Sequence, residues 1–387
     1  MKGLKKIFGE NATDDRLTLI SYSSDASQIK GEASAVVWPK TREDVYKLIR
    51  YAHRTNSNIT PRGAGTGLVG AAVPHKSIVV DFSRMDRIIS IDTKNKTAVV
   101  EPGVVLDTLN NEVAKYNLEF PVVPASHSTC TIGGMISTNA AGMKALRHGS
   151  TMEWIEELVV MDGMGRVLKA AKKDRIADFC GTEGTMGIIL NAKLRLADVE
   201  NIKTLDLFKV ETVSDMINIF KSLDIKKLNS VEYIDKTAAS IAGLEPKYYV
   251  FVEYNDDSGE IFKKEEVENT LEIRKTAGIA LSSEGYTIKE DPKLPIGKVS
   301  EFIRWLEQHG IPSFGHLGAG ILHPRFKTSD LIPEMFRKVN ELGGEVSGEH
   351  GIGIKKKEFV TDKYRERITR LKAKYDPKNI LNRNKLI

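Results

Sequence analysis

Short apolar runs alternate with amphipathic stretches through the first half of the chain. ASAVVW (33–38) reads as a short buried strand, and a helix opening at Thr41 or Glu43 carries Val45, Ile49 and Ala52 at helical spacing. Asn58 to Pro61 leads into a glycine-rich turn, SIVVDF (77–82) and TAVVEPG (97–103) read as further strands, and a helix is expected from about Val105 to Tyr116. IEELVVMDGMGRVLK (155–169) alternates around the turn pairs Asp162-Gly163 and Met164-Gly165, a hairpin pattern, and a second strand pair is expected to close at Ile188 to Leu196. This mixture predicts an α+β fold rather than a regular parallel repeat.

After about Ala197 the texture changes to charged helices and separated strands, including NIFKSLD, YYVFVEY and the Lys/Glu-rich stretch 258–275, which sets a domain boundary near residue 200. The last segment, ITRLKAKYDPKNILNRNKLI, reads as a basic helix stopped by Asp376-Pro377 and followed by a tail that packs back on the protein.

The chain of 387 residues is long enough for two cores and a cleft. Its 57 Lys+Arg against 52 Asp+Glu leave only +5, without a long basic block, which argues against nucleic acid and leaves small anions as ligands. Cys130 and Cys180 are the only cysteines. They encode no disulfide framework, thiolate zinc site or iron–sulfur cluster, so a one-electron relay must lie on another protein. The N-terminus lacks an apolar signal core and no run approaches ~18 apolar residues, so no transmembrane segment is expected and a cytoplasmic protein follows.

Three glycine clusters punctuate the predicted strands. Pro61-Arg62-Gly63-Ala64-Gly65-Thr66-Gly67 lets successive backbone N–H groups converge on an anion such as a pyrophosphate. It is no P-loop, because no Gly-Lys-Ser/Thr follows, and Pro74 interrupts the following segment too early for a Rossmann crossover helix. Pro124-Ala125-Ser126 with the run Thr131 to Gly142, and then Gly181 to Ile189, add small residues that let a flat ring approach the backbone. Together they favour a dinucleotide cradle over three unrelated turns.

PRGAGTGLVGAAVP, TIGGMISTNAAG with HGSTMEWIEELVVMDGMG, and CGTEGTMGIILNAKLRL resemble, in order and spacing, the PCMH-type FAD-binding domain of the vanillyl-alcohol oxidase superfamily. The resemblance implies that Arg62, Gly63, Ala64, Gly65, Thr66 and Gly67 hold the pyrophosphate. It implies too that Pro124, Ala125, Ser126, Gly133, Gly134, Ser137, Thr138 and Asn139 run along the flavin and ribityl chain, with Glu183, Gly187 and Ile189 close by. Some members link flavin to a histidine of the first loop; Thr66 stands there, which favours non-covalent FAD. Cys130 is a candidate for a second linkage, and a small buried residue is the plainer reading.

The second half carries GHLGAGILHP (315–324) and SGEHGIG (347–353). Two neutral imidazoles and a carboxylate suit Zn²⁺, Mn²⁺ or Fe²⁺ and leave room for substrate oxygens. The spacing of His316 and His323 suits a helix face, while Gly315, Gly318 and Gly320 argue for a strand or turn. Both motifs resemble those of the glycolate oxidase, D-lactate and D-2-hydroxyglutarate dehydrogenase branch. That implies His316, His323 and Glu349 as metal ligands and His350 as the catalytic base, taking the proton of a 2-hydroxyl while C2 passes a hydride to flavin N5. IRKTAG and YTIKEDPKLP resemble the branch's substrate-binding segment, with Arg274 and Lys289 as carboxylate partners; a solvated surface cation is the competing reading for each. DPKNILNRNK resembles the flavin-contacting tail, with Asn382 as the matched residue.

The chain departs from the branch at Ala319 and Ile321, where Asp and Asn are common, and at Arg325, which either favours a second acidic group or faces water. The implied architecture is a two-subdomain FAD-binding PCMH-type domain (1–200) and an inserted α/β ferredoxin-like cap carrying the metal site (201–355). A C-terminal helix and tail (356–387) return to the FAD domain, with the active site at the junction. The implied function is FAD-dependent oxidation of a small 2-hydroxy acid. Electrons would pass to a quinone, an electron-transfer flavoprotein or an iron–sulfur subunit, through which the protein could sit at a membrane. Two alternatives are a non-catalytic FAD-binding subunit of an electron-transfer complex and an ether-lipid-type flavin synthase.

Overall fold

A computed structural model describes residues 2–200, 204–261 and 263–387. Two compact units emerge. One gathers the chain up to Ala140, Ser150–Val199 and His350–Ile387; the other holds Ala141–Gly149 and Glu200–Glu349. The sequence reading places divisions at 200 and 355, and the chain also crosses elsewhere. Residues 141–149 join the second unit because Lys144 and Arg147 each pair with Glu200 at 2.9 Å. Residues 350–355 join the first because the Glu183 carboxylate accepts from the N–H groups of Ile352 (2.6 Å) and Gly353 (2.9 Å), while Ile354 donates to the Val69 carbonyl.

In the first unit, β1 (Ala12–Thr13), β2 (Glu32–Val37), β3 (Asn58–Arg62) and β4 (His75–Asp81) form a sheet in the order β1-β2-β4-β3. β2 and β3 run parallel to β4 and β1 is antiparallel at the edge. Thr41 starts α1 (Arg42–Thr55) with a capping box to Asp44, and Asn56 ends it in the left-handed region. Its buried face of Val45, Leu48, Ile49 and Ala52 packs with Val37, Ile59 and Val80, and with Ile380 and Leu381 from the chain's end. Each such side chain contributes about 1.5–3 kcal/mol on burial.

A five-stranded antiparallel sheet completes this unit: β5 (Ile88–Asp92), β6 (Thr97–Val100), β7 (Ile155–Asp162), β8 (Val167–Ala170) and β9 (Gly187–Arg195), in the order β5-β6-β9-β7-β8. The alternation over 155–169 is the hairpin β7–β8. The stretch 188–196 does not close a second pair: β9 is a single strand hydrogen-bonded to both β6 and β7. α2 (Ile132–Thr138) begins at Thr131, whose hydroxyl accepts from Gly134 N–H, and the helix Asp362–Tyr375 precedes the tail.

The second unit contains the short helix α3 (Ala145–His148) and a six-stranded antiparallel sheet of β10 (Thr204–Val210), β11 (Leu228–Ile234), β12 (Tyr248–Tyr254), β13 (Ile288–Lys289), β14 (Ser313–His316) and β15 (Ile321–Phe326). The order is β10-β12-β11-β14-β15-β13. α4 (Lys264–Ser283) packs Ala277 and Leu281 against Ile234 and Phe314 of that sheet. No helix of the described residues is long and apolar enough to cross a membrane.

Candidate functional site

Within the first unit the three glycine clusters converge. A Cβ on Gly63 would stand 2.4 Å from Thr131 Oγ1, so only glycine lets the first loop lie against the start of α2. Gly181 N–H donates to Ile136 O (3.0 Å) and Glu183 N–H to Ser137 O (2.8 Å), joining the second cluster to the third. Asn382 Nδ2 then donates to Ala71 O (2.9 Å) and Glu183 O (2.7 Å), so the tail ties the first cluster to the third.

Asn382 is buried, and its Oδ1 has no protein partner. A buried amide oxygen left unsatisfied beside converging small-residue loops fits a bound polar cofactor. Other predicted cradle residues spend their side chains internally. Arg62 donates to Ser24 O (2.7 Å) and lies over the Tyr22 ring. Ser137 and Thr138 hydroxyls bond back to Gly133 O and Gly134 O, and Asn139 Oδ1 accepts from Met152 N–H. Thus any contact from these loops to a cofactor falls mainly to backbone. Pro124 to Ser126 form a turn closed by His127 and Cys130 N–H groups, Ala64 is exposed, and Gly65, Thr66 and Gly67 are half-buried in the loop after β3. Gly187 and Ile189 sit in β9, opposite Asp162 and Val160 of β7. Burial pushes the Cys130 thiol up to about 11, which leaves it protonated and a poor nucleophile.

Glu183 is fully enclosed. Burial pushes its carboxyl up to about 7, against the N–H groups of Gly353 and Ile352 that favour the charged form.

The second unit brings His316, His323 and Glu349 together, their ligand atoms all within 4.8 Å of one another. The two histidines arise from a hairpin: β14 ends at His316, Gly320 turns the chain at φ 70°, and β15 carries His323. Side chains alternate along strands, so Phe314, His316, Ile321, His323 and Arg325 share one face. The imidazole rings stand 5.1 Å apart and nearly perpendicular. Glu349 Oε1 lies 3.4 Å from His323 Nε2 and Oε2 lies 3.8 Å from His316 Nε2. Two imidazoles and one carboxylate with open positions fit a divalent cation.

Residues that sequence reasoning missed hold this group in place. Glu232, wholly buried on β11, lies 2.7 Å from His316 Nδ1, the carboxylate–histidine arrangement that fixes a ligand's tautomer and leaves Nε2 for a metal. Its other oxygen lies 2.8 Å from Arg274 Nε, a close ion pair without the alignment of a hydrogen bond. Asp291 accepts from Ser347 Oγ (2.9 Å) and from the N–H groups of Gly348 (3.0 Å) and Glu349 (2.8 Å), which fixes the strand-less segment bearing Glu349. The available signal was a carboxylate inside the apolar run SVEYI, costly unless paired. Arg274 on α4 and Arg325 on β15 both lie 4.9 Å from the Phe314 ring centre. Burial and then the charge of Arg274 pull the Arg325 guanidinium down to about 10, so it stays charged near neutrality. Lys289 is exposed on β13, in register with Arg325. His350 belongs to the first unit, one peptide bond from Glu349.

Residues 33–171 match the FAD binding domain family, and residues 257–386 match the C-terminal domain of FAD linked oxidases. The glycolate oxidase subunit GlcD of Bacillus subtilis (strain 168) is 29% identical over 441 residues, covering 97% of this chain and 94% of its own. D-lactate dehydrogenase of Archaeoglobus fulgidus is 28% identical, covering 92% of each chain. The mitochondrial D-2-hydroxyglutarate dehydrogenase of Danio rerio is 26% identical, covering 97% of this chain and 82% of its own. Among solved structures, alkyldihydroxyacetonephosphate synthase superimposes with a TM-score of 0.68 at 17% identity, over 98% of this chain and 83% of that one, a likeness of fold.

Proposed function

This chain belongs to the PCMH-type FAD-linked oxidases, in the branch of glycolate oxidase and the D-lactate and D-2-hydroxyglutarate dehydrogenases, and from that premise we propose that it oxidises a small 2-hydroxy acid to the 2-oxo acid. The observation that carries this to its own residues is the His316–His323–Glu349 group.

When bound, FAD accepts the hydride equivalent at N5, and a divalent cation (Zn, Mn or Fe) at these ligands supplies Lewis acidity to the substrate's hydroxyl and carboxylate. Glu232 holds Nδ1–H of His316 so that Nε2 presents its lone pair. Arg274 offers a planar guanidinium to the substrate carboxylate, and Lys289 adds a point charge. His350, next in the chain to the ligand Glu349, takes the 2-hydroxyl proton as C2 is oxidised. Backbone groups of residues 62–67 and 133–139, with Asn382, hold FAD without a covalent bond. Because Cys130 and Cys180 provide no cluster ligands, electrons from a flavin bound here would have to leave to a quinone, an electron-transfer flavoprotein or an iron–sulfur partner. The naming of the Bacillus subtilis relative as a subunit supports a partner chain.

Anaerobic addition of D- and L-2-hydroxy acids to the purified protein tests the reading. Bleaching of the flavin band by one enantiomer, abolished by a chelator, is the expected result; a flavin that no hydroxy acid reduces sinks it.

A further inference from the structure

Glu183 turns its side chain on the residues that follow His350. Its Oε1 accepts from the N–H groups of Ile352 (2.6 Å) and Gly353 (2.9 Å), and its Oε2 accepts from Gly353 as well (2.9 Å). Gly351 lies at φ 85°, and a Cβ there would stand 2.4 Å from Oε1, so the turn closes directly on the carboxylate. The anchor is itself fixed. Glu183 is buried, its N–H donates to Ser137 O (2.8 Å), and its carbonyl accepts from Asn382 Nδ2 (2.7 Å).

The same turn is tied at further points. Gly353 O accepts from Leu386 N–H (3.1 Å), and Ile354 N–H donates to Val69 O (2.8 Å). Upstream, Asp291 takes the N–H groups of Gly348 and Glu349. His350 and Gly351 are the two residues between these carboxylate anchors, so the backbone of His350 is placed by where the segment is held on either side. Taking the acceptor from buried N–H groups forces them toward other partners, and the histidine beside them moves with them.

We infer that Glu183 is the positioning residue for His350: its carboxylate fixes the turn Gly351–Gly353 and thereby sets where the imidazole stands when it takes the substrate's proton. This rests on the reading of His350 as the base of a 2-hydroxy-acid dehydrogenase.

Wild-type, E183Q and G351A holoenzymes are compared above pH 7, the value near which burial places the Glu183 carboxyl. E183Q keeps the volume of the side chain, but its amide donates where Oε2 accepts and so opposes the Gly353 N–H. G351A disturbs the same contact from the other side. Each should lower kcat per bound flavin by roughly 10- to 100-fold, the cost of a small misplacement of a reacting group. KM for the acid and flavin content should change by less than about threefold. The double variant should lose little more than either alone, because both break one contact. A second readout needs no turnover. In magnetic resonance spectra of histidine-labelled protein, the His350 ring signal, identified by its loss in H350N, should move in both variants while those of His53 and His127 hold. A His350 signal or a turnover per flavin that stays at the wild-type value overturns the proposal. Loss of flavin from both variants also overturns it, since Glu183 then serves the cradle; if only E183Q loses flavin, G351A decides. Should wild type oxidise no hydroxy acid, the dehydrogenase reading falls, and the signals alone decide whether Glu183 places His350.

Discussion

On the function proposed above, the two units would meet anionic ligands with opposite materials. In the first, the cradle is backbone and small side chains: Gly63 against Thr131, α2 bonded to Gly181 and Glu183, and a tail amide from Asn382. Its enclosed carboxylate, Glu183, is spent on Ile352 and Gly353. In the second, recognition is concentrated in side chains fixed on strands and one helix: Glu232, His316, His323, Arg325 and Arg274. A backbone site tolerates changes of side-chain chemistry and resists added volume. A side-chain site does the reverse.

The sharpest contrast comes from His350. H350N should lower kcat by on the order of 10³-fold while flavin content stays at the wild-type level, because removing a general base costs about 10²–10⁴ in rate. Flavin loss in this variant would mean that His350 belongs to the cradle instead. Next in size, E232Q should weaken metal retention about 10- to 100-fold, measured by metal analysis after dialysis against graded chelator, since it alters the partner that orients His316. Unchanged retention would show that the histidines are oriented by packing alone.

G63V probes the other unit. A side chain there overlaps Thr131, and flavin retention should fall by on the order of 10-fold, with metal binding in the second unit untouched. Equal damage to both would break the separation of materials drawn above.

The smallest effect is a slope rather than a loss. With its carboxyl raised from 4.5 to about 7 by burial, folded Glu183 holds its proton more tightly than the unfolded chain does. Its contribution to stability is therefore whole below about pH 4.5 and is lost as pH rises through about 7. Between pH 5 and 8 the urea midpoint of wild type should fall by the equivalent of about 2 kcal/mol relative to E183Q, which cannot ionise. Parallel pH profiles would show that the N–H groups of Ile352 and Gly353 fully offset the burial.

Much of this was legible because local pattern and local structure agree. SIVVDF and the alternation around Asp162-Gly163 became strands, and the first and third glycine clusters became turns that meet α2, into which the second folds. The motif histidines and Glu349 could be picked out in GHLGAGILHP and SGEHGIG, but their distances depend on a hairpin that spacing alone did not decide. Long-range partners were invisible. Nothing near Glu183 in sequence indicates that it holds residues 352 and 353, so 350–355 read as part of the cap. Glu232 and Asp291 act across strands on groups 84 and 56 to 58 positions away. β9 looked like half of a hairpin because a strand with two neighbours carries the same apolar run.

The return of the tail gives the chain an order of assembly. Leu381 bridges to Ile59, Ile380 and Leu381 enter the core under α1, and Asn382 closes onto Ala71 and Glu183. The unit that would hold the flavin therefore needs residues 380–382 docked, whereas the second unit contains none of them. Flavin content of a preparation would then measure how fully these three residues have docked.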